Sequence, residues 1–251
     1  SWRRTEPPVL LRNLRWPLVA AAVVVAAGLV LFERAWAAFA FGVVAAATVV
    51  TVQEFWRGIA ARRRMTRENL FVAVWRLIQR NNRRYGGYIV HLAVILIAIG
   101  VIASNAFQVE RQFVLRPGEQ GQIGPYTVVY RGLDDRRTAD AEIVFAIVDV
   151  YRGERFAGTV ESHRYFYRNY ENQPTARMGI MLVGMDDVYV VLDRWEDDGT
   201  ASLRVYINPL VIWIWIGAAV FFLGTLTLFW PQPAPATVRV PRTLPGVVSE
   251  A

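Results

Sequence analysis

The hydrophobic and polar positions of this chain form four long apolar runs, one amphipathic stretch and one region with strand character. The apolar runs cover about residues 16–32, 35–52, 86–104 and 210–229, and none contains arginine, lysine, aspartate or glutamate. A helix needs about 20 apolar residues to cross the hydrocarbon core of a bilayer. Each run therefore predicts a membrane-spanning helix, and the short polar break at Glu33-Arg34 predicts a tight hairpin between the first two.

Residues 54–84 combine a high density of arginine with a helical period. Nine arginines fall here, while apolar residues recur at spacings of one, three and four: Leu70, Phe71, Val74, Leu77 and Ile78. This pattern is typical of an amphipathic helix that lies along a membrane surface. We predict an interfacial helix within a basic loop, with Thr66 as its N-cap.

The hundred residues after the third apolar run carry strand signals instead. Segment 142–151 is rich in β-branched and aromatic residues, and Asp197-Asp198-Gly199 separates two further such segments at 188–195 and 200–206. They predict a small antiparallel β domain, which we expect to be a partly closed barrel. The predicted fold is thus a polytopic α-helical membrane protein with four transmembrane helices and an extracytoplasmic antiparallel β domain.

The distribution of charge predicts the orientation of the spans. All 28 basic residues are arginines, and 15 of them lie in the N-terminal segment, the 54–84 loop and the C-terminal tail, where only four residues are acidic. Residues 105–207 hold 12 arginines and 16 acidic residues. Because positive charge collects on the cytoplasmic side of a membrane, both termini and the loop are predicted to be cytoplasmic. The same distribution favours membrane topology over nucleic-acid binding as the reason for the net charge of +7.

The predicted division of the chain follows from these patterns. It comprises a cytoplasmic N-terminal segment at 1–15, a transmembrane hairpin at 16–53, a basic cytoplasmic loop with an interfacial helix at 54–85, a transmembrane helix at 86–104, a periplasmic β domain at 105–207, a last transmembrane helix at 208–230 and a cytoplasmic tail at 231–251.

Two histidines and no cysteine are present. The lack of cysteine excludes disulfides, zinc–thiolate sites and a redox CxxC pair within this chain. His163 falls in the β region and is predicted to be a solvated loop residue. His91 lies about five residues inside the third span, so at about 1.5 Å per residue roughly 20 Å of membrane separates it from the outer face. The two cannot share one metal.

His91 is the candidate functional residue, because an ionisable side chain at membrane depth is costly unless it faces protein, water, a metal or a cofactor. Three interpretations are open: a core histidine bonded to a neighbouring helix, a proton relay, or a haem ligand. A relay would favour acidic residues in the span interiors, which have none. Gly87 and Ala98 keep the helix face of His91 free of bulky side chains. Arg83 and Arg84, at the headgroup level, could pair with haem propionates. These features fit a haem without being specific for it.

The run Asn82–Leu92, which reads Asn-Arg-Arg-Tyr-Gly-Gly-Tyr-Ile-Val-His-Leu, closely resembles the signature of the CcmF family, the haem lyase subunits of the cytochrome c maturation system. Residues 203–217 resemble the family's final outer strand and the start of its last span. Residues 115–119 and 124–126 match the opening of its periplasmic domain. The resemblance covers most of 53–230.

The resemblance implies that His91 is one axial ligand of the iron of a b-type haem (haem b) buried in the membrane. Around this haem we place Gly87, Tyr88, Arg83 and Arg84 as candidate cofactor-binding residues; no catalytic residue is assigned. The implied enzyme is a cytochrome c haem lyase, which attaches haem covalently to apocytochrome c. The b-haem would then serve redox control of the substrate haem.

The family's tryptophan-rich WWD segment and its flanking histidines have no match in this chain. We therefore expect a C-terminal portion, either a segment of a longer polypeptide or a separate subunit, whose N-terminal part supplies the second axial ligand. Other implied partners are a haem chaperone, apocytochrome c and membrane lipid, with quinol as a further candidate and no nucleic acid. The expected location is the bacterial inner (cytoplasmic) membrane.

Two other functions remain open at this point. A cytochrome b-type quinol oxidoreductase subunit would need a quinone pocket and a chain of haems, whereas one histidine at membrane depth is visible. A cofactor-free docking scaffold for apocytochrome or a haem chaperone would need neither.

Overall fold

The computed structural model describes residues 7–168 and 174–231, which form five helices and nine strands. In chain order these are α1 Pro7–Leu31, α2 Ala35–Thr66, α3 Leu70–Arg80, α4 Asn82–Ala106, β1 Val109–Leu115, β2 Gln120–Ile123, β3 Tyr126–Arg137, β4 Ala141–Arg152, β5 Arg155–Tyr167, β6 Thr175–Arg177, β7 Gly179–Val183, β8 Asp186–Trp195, β9 Ala201–Asn208 and α5 Ile212–Phe229. Four helices (α1, α2, α4 and α5) are long and apolar enough to cross a membrane. The predicted class, four spans with an antiparallel β domain, is confirmed. Parts of the predicted N-terminal segment and nearly all of the predicted tail lie outside the described residues.

Small residues bring α1 and α2 into close contact. A Cβ added at Gly28 would lie 2.7 Å from the Cβ of Ala38, and one added at Gly42 would lie 2.5 Å from Cγ2 of Val25. Real side chains do not approach so closely, so both positions require glycine for this packing. The expected hairpin forms, although α1 begins at Pro7 and α2 extends 14 residues beyond the apolar run, to Thr66.

The arginine-rich end of α2 and the short helix α3 pack together. Ile59 of α2, Leu77 of α3 and Tyr85 of α4 form one small buried cluster. Between the helices, Glu68 accepts hydrogen bonds from Arg62 and Arg76, and these bonds, chiefly that from Arg62, hold the pKa of Glu68 below its usual range. The expected N-cap at Thr66 is wrong: Thr66 ends α2, and the residue that precedes α3 is Asn69.

Helices α4 and α5 make the most extensive contact of the described membrane helices. A Cβ at Gly217 of α5 would lie 2.6 Å from Cγ1 of Ile97 and 2.9 Å from the carbonyl oxygen of Ala93. On the other side of the contact, a Cβ at Gly100 would lie 2.9 Å from the backbone nitrogen of Ile214. Glycine on both helices therefore lets the two backbones approach closely.

The β domain consists of two antiparallel sheets packed face to face, in the orders β1-β9-β8-β7 and β2-β3-β4-β5-β6. The expected partly closed barrel is therefore wrong: the strands form a sandwich. Its core holds Tyr126 and Tyr130, both fully buried, whose hydroxyls donate to Asp186 Oδ2 at 2.7 Å and to the carbonyl oxygen of Gly199 at 3.0 Å. Burial raises the pKa of each tyrosine to about 12. The predicted hairpin between β8 and β9 is present, with Gly199 at a left-handed φ of 81°.

The sandwich is joined to the membrane part through two adjacent strands. Strand β1 follows α4 and strand β9 precedes α5, and the two strands pair from Val109 with Ile207 onwards. At the junction, Gln108 Nε2 donates to Asn208 Oδ1 at 2.6 Å. The α4–α5 pair and the β1–β9 pair thus form one continuous structure.

Candidate functional site

Helix α4 carries the predicted site residues and is enclosed on two sides. Helix α5 covers the side that includes Gly86, Ala93 and Gly100, all buried, while α2 covers the side that includes Tyr85. Helix α3 also touches the start of α4, through Leu77 and Tyr85, whereas the surface that carries Gly87 and His91 is uncovered in the described part of the chain. The helix therefore has packed sides and one open face.

The open face begins with Arg83 and continues through Gly87 and His91, which follow one another at intervals of four residues. His91 is exposed, and a Cβ added at Gly87 would meet no atom within 4 Å. Val94 and Val101, three and ten residues beyond His91, are half exposed. The structure thus brings Arg83, Gly87 and His91 onto one accessible surface.

Arg84 and Tyr88 turn towards α2 instead. Glu54 of α2 accepts from Arg84 Nη2 at 3.0 Å and from the Tyr88 hydroxyl at 3.1 Å, and Arg84 Nε donates to that same hydroxyl at 2.9 Å. The Tyr88 ring packs against Phe55 and Tyr85, with centroids 5.6 Å and 5.7 Å away. The structure therefore separates these two predicted residues from Gly87 and His91.

Glu54 is the functional candidate that the sequence analysis missed. Its other oxygen, Oε1, accepts from Arg57 Nη1 at 2.9 Å, and Arg57 in turn donates to Asn13 of α1 at 3.1 Å. The Glu54 carboxylate thus joins α2 to α4 directly and, through Arg57, to α1. The available signal was a lone acidic residue two positions after the end of an apolar run and three positions before an arginine.

His163 lies far from this site, in strand β5. The prediction of a solvated loop residue is wrong: its side chain is 19% exposed, and its ring packs against Phe145 and Tyr165 at centroid distances of 5.2 Å and 6.1 Å. Its Nε2 lies 3.3 Å from Glu161 Oε2. Within the described residues, no cluster of three side chains suited to a metal ion occurs.

The residues of the open face fit one side of a haem. A planar macrocycle needs a surface without bulky side chains beside the ligating imidazole. Gly87, four residues before His91, provides such a surface. Arg83 is exposed at the start of the same face and has no ion-pair partner among the described residues, so its guanidinium is free to bind a propionate. One imidazole supplies one of the two axial positions of a six-coordinate haem iron.

The comparisons with known proteins agree on one family. The family described as the CcmF C-terminal beta-sandwich matches residues 106–209. The cytochrome c-type biogenesis protein CcmF of Haemophilus influenzae is 30% identical over 165 residues, covering 64% of this chain and 24% of that protein. The protein of the same name from Pseudomonas aeruginosa is 26% identical over 227 residues, covering 89% of this chain and 33% of that protein.

A solved structure gives the same result for the fold. The protein titled Cytochrome c Heme Lyase CcmF matches with a TM-score of 0.70 and 25% identity, over 92% of this chain and 36% of that one. The likeness thus includes the membrane helices as well as the sandwich. The chain spans about a third or less of the length of the curated relatives it matches.

Proposed function

Because the chain is a CcmF C-terminal portion by sequence and by fold, we propose that it forms part of a membrane haem lyase, which attaches haem covalently to apocytochrome c. In that assembly the chain contributes His91 as one axial ligand of a membrane-embedded b-type haem. The observation that supports this role best is the open face of α4, where the imidazole and the lean surface at Gly87 lie side by side.

Each residue near the site has a distinct task in this proposal. His91 binds iron through a neutral imidazole, Gly87 leaves room for the macrocycle, and Arg83 binds a propionate. A bound b-haem supplies one-electron redox chemistry, which serves to set the oxidation state of the substrate haem. Arg84 and Tyr88 act through Glu54: they fix the rotation of α4 against α2, and so the direction in which His91 points.

Replacement of His91 tests the proposal. In the intact protein, His91→Ala should remove most of the haem, because one of two axial bonds is lost and an alanine cannot replace it. The matched control is His163→Gln, which changes the other histidine of the chain and should leave haem content unaltered. The measurement is pyridine haemochrome content per protein, together with the cellular yield of c-type cytochromes. Full haem retention in His91→Ala would contradict the axial role.

The isolated 251-residue chain provides a second arm of this test. It should hold haem poorly even with His91 in place, since the N-terminal part of the protein supplies the other ligand. Its sandwich should stay folded in both the wild type and the His91→Ala variant, as judged by the β signal in circular dichroism. Tight haem binding by the isolated chain would show that both ligands lie within it.

The orientation of the chain is part of the proposal. From the excess of arginine in the N-terminal segment, the 54–84 loop and the tail we expect both termini in the cytoplasm, and the acidic β-sandwich in the periplasm. A reporter that is active only outside the cytoplasm should be active when fused after Asp135 or Gly199, and silent after Arg64 or Ala251. Activity at Arg64 would reverse the topology and place His91 near the outer face of the inner membrane.

The other two functions make different demands. A reduced-minus-oxidised spectrum of the purified intact protein should show a b-type haem, whereas a docking scaffold for apocytochrome c or a haem chaperone would show none. If the protein is part of a haem lyase, deletion of its gene should abolish c-type cytochromes. If the spectrum is present and the cytochromes are unaffected, the protein is a quinol oxidoreductase subunit.

A further inference from the structure

A cleft opens between the start of α1 and the second half of α2, on the opposite side of α2 from α4. Its volume is about 510 Å³. It is lined by Arg12, Asn13, Arg15, Trp16, Gln53, Trp56 and Arg57. Three of these seven residues are arginines and none is acidic, so the cleft attracts anions.

The two tryptophans place the cleft at the membrane surface. Trp16 is the first residue of the apolar run of α1, and Trp56 follows the apolar run of α2 by four residues. Since α1 and α2 form a hairpin, both rings lie at the same end of it, and both are exposed, by 57% and 60%. Tryptophan is enriched where hydrocarbon meets headgroups. The cleft therefore lies at headgroup depth.

Two of the three arginines of the cleft make contacts that hold them in position. Arg57 donates to Glu54 of its own helix and to Asn13 of α1, which fixes its guanidinium across the α1–α2 contact. The Arg15 guanidinium lies 5.3 Å from the centroid of the Trp16 ring. Among the described residues, neither Arg12 nor Arg15 has an acidic partner. Within the described residues, the charge of the cleft is thus neutralised only at Arg57.

We propose that this cleft binds the phosphate of an anionic phospholipid from the surrounding bilayer. Guanidinium groups form charge-assisted hydrogen bonds with phosphate oxygens, and basic pockets between helices at a membrane surface favour anionic headgroups. The apolar surface directly below the cleft suits the acyl chains, because Leu18 and Val19 of α1 are exposed by 57% and 50%. A free phosphate ion would use the arginines alone and leave the tryptophans and this apolar surface without a role.

The test uses the intact protein in nanodiscs made of equal parts phosphatidylcholine and phosphatidylglycerol, followed by native mass spectrometry of retained lipid. The wild type should retain phosphatidylglycerol in preference to phosphatidylcholine. Each arginine near an anionic surface contributes about a fivefold preference, so Arg12→Gln with Arg15→Gln should lower it roughly 25-fold. The matched control is Arg63→Gln with Arg64→Gln. It removes the same amount of charge near the end of α2, from two arginines that do not line the cleft. It should leave the preference nearly unchanged.

Three outcomes would overturn the proposal. Equal losses in the two double variants would mean that the lipid responds to overall charge and not to the cleft. Displacement of phosphatidylglycerol by millimolar inorganic phosphate would identify a site for the free ion. Absence of bound phosphatidylglycerol from the wild-type intact protein would mean that another polypeptide segment covers the cleft. Monodisperse elution of both double variants is required for the comparison and checks that each has folded.

Discussion

The packed side and the open face of α4 use the same residue type for opposite purposes. Gly100 faces α5, and a Cβ there would lie 2.7 Å from Cγ1 of Ile214 and 2.9 Å from its backbone nitrogen. Gly87 faces no described residue, and its added Cβ would meet nothing within 4 Å. The first glycine permits helix packing within the chain, whereas the second leaves space that the chain itself does not fill.

This difference shows that a glycine in a membrane helix has two separable meanings. A packing glycine can be recognised from its neighbours in the folded chain, and its replacement must damage the fold. A glycine on an open face has no structural reason within the chain, since it lowers helix stability relative to alanine. In our proposal its reason is the macrocycle beside His91.

The largest effects are expected when leucine replaces a glycine on the packed side (Gly100) or on the open face (Gly87) of α4. Gly100→Leu should destabilise the protein by about 3 kcal/mol or more, because the backbone of α5 cannot yield as a flexible side chain would. Gly87→Leu should not lower stability, because leucine favours the helix more than glycine does, but it should reduce haem content severalfold in the intact protein. Thermal unfolding in detergent and pyridine haemochrome content measure the two effects. Normal haem content in Gly87→Leu would show that the macrocycle lies against another surface.

A smaller effect should follow from loss of the carboxylate that links α2 to α4. Glu54→Gln weakens the contacts to Arg84, Tyr88 and Arg57, and since this group is partly exposed the expected loss of stability is about 1 kcal/mol. The control is Glu33→Gln, which changes an exposed carboxylate at the opposite end of the hairpin. Haem should also dissociate faster from Glu54→Gln, as the orientation of α4 is less well fixed. If both variants behave alike, the linkage has no role.

The smallest effects distinguish two neighbouring arginines at the start of α4. Arg83→Gln should raise the rate of haem transfer to an acceptor protein a few-fold without changing the unfolding temperature, because Arg83 has no partner in the described chain. Arg84→Gln should lower stability by less than about 1 kcal/mol and alter haem transfer less than Arg83→Gln does. The opposite pattern would mean that Arg84 leaves Glu54 when haem is bound.

The sequence predicted best those features that depend on neighbours along the chain. Uncharged runs identified the four spans, and Asp197-Asp198-Gly199 identified a hairpin, because both signals are local. The contact between Glu54 and Arg84 joins residues 30 positions apart. It depends on how α2 docks against α4, which no local pattern specifies.

The same reason explains the errors in the β domain. Whether nine strands close into a barrel or split into two sheets depends on pairing between distant strands, such as β1 with β9. The sequence around His163 contains no nearby partner of ligand type, which indicated a solvated loop residue. Cross-strand packing against Phe145 of β4 covers its ring.

The direct passage from α4 into β1 and from β9 into α5 has a mechanical consequence. Two paired strands continue into two closely packed helices, and Gln108 and Asn208 are hydrogen-bonded at the junction. The sandwich therefore cannot rotate about one helix alone, because rotation about α4 would also move α5. A load applied to the sandwich by a large protein ligand would therefore act as torque on both helices together. A tilt of α4 would move the imidazole of His91 within the bilayer. It would require no rearrangement inside the sandwich.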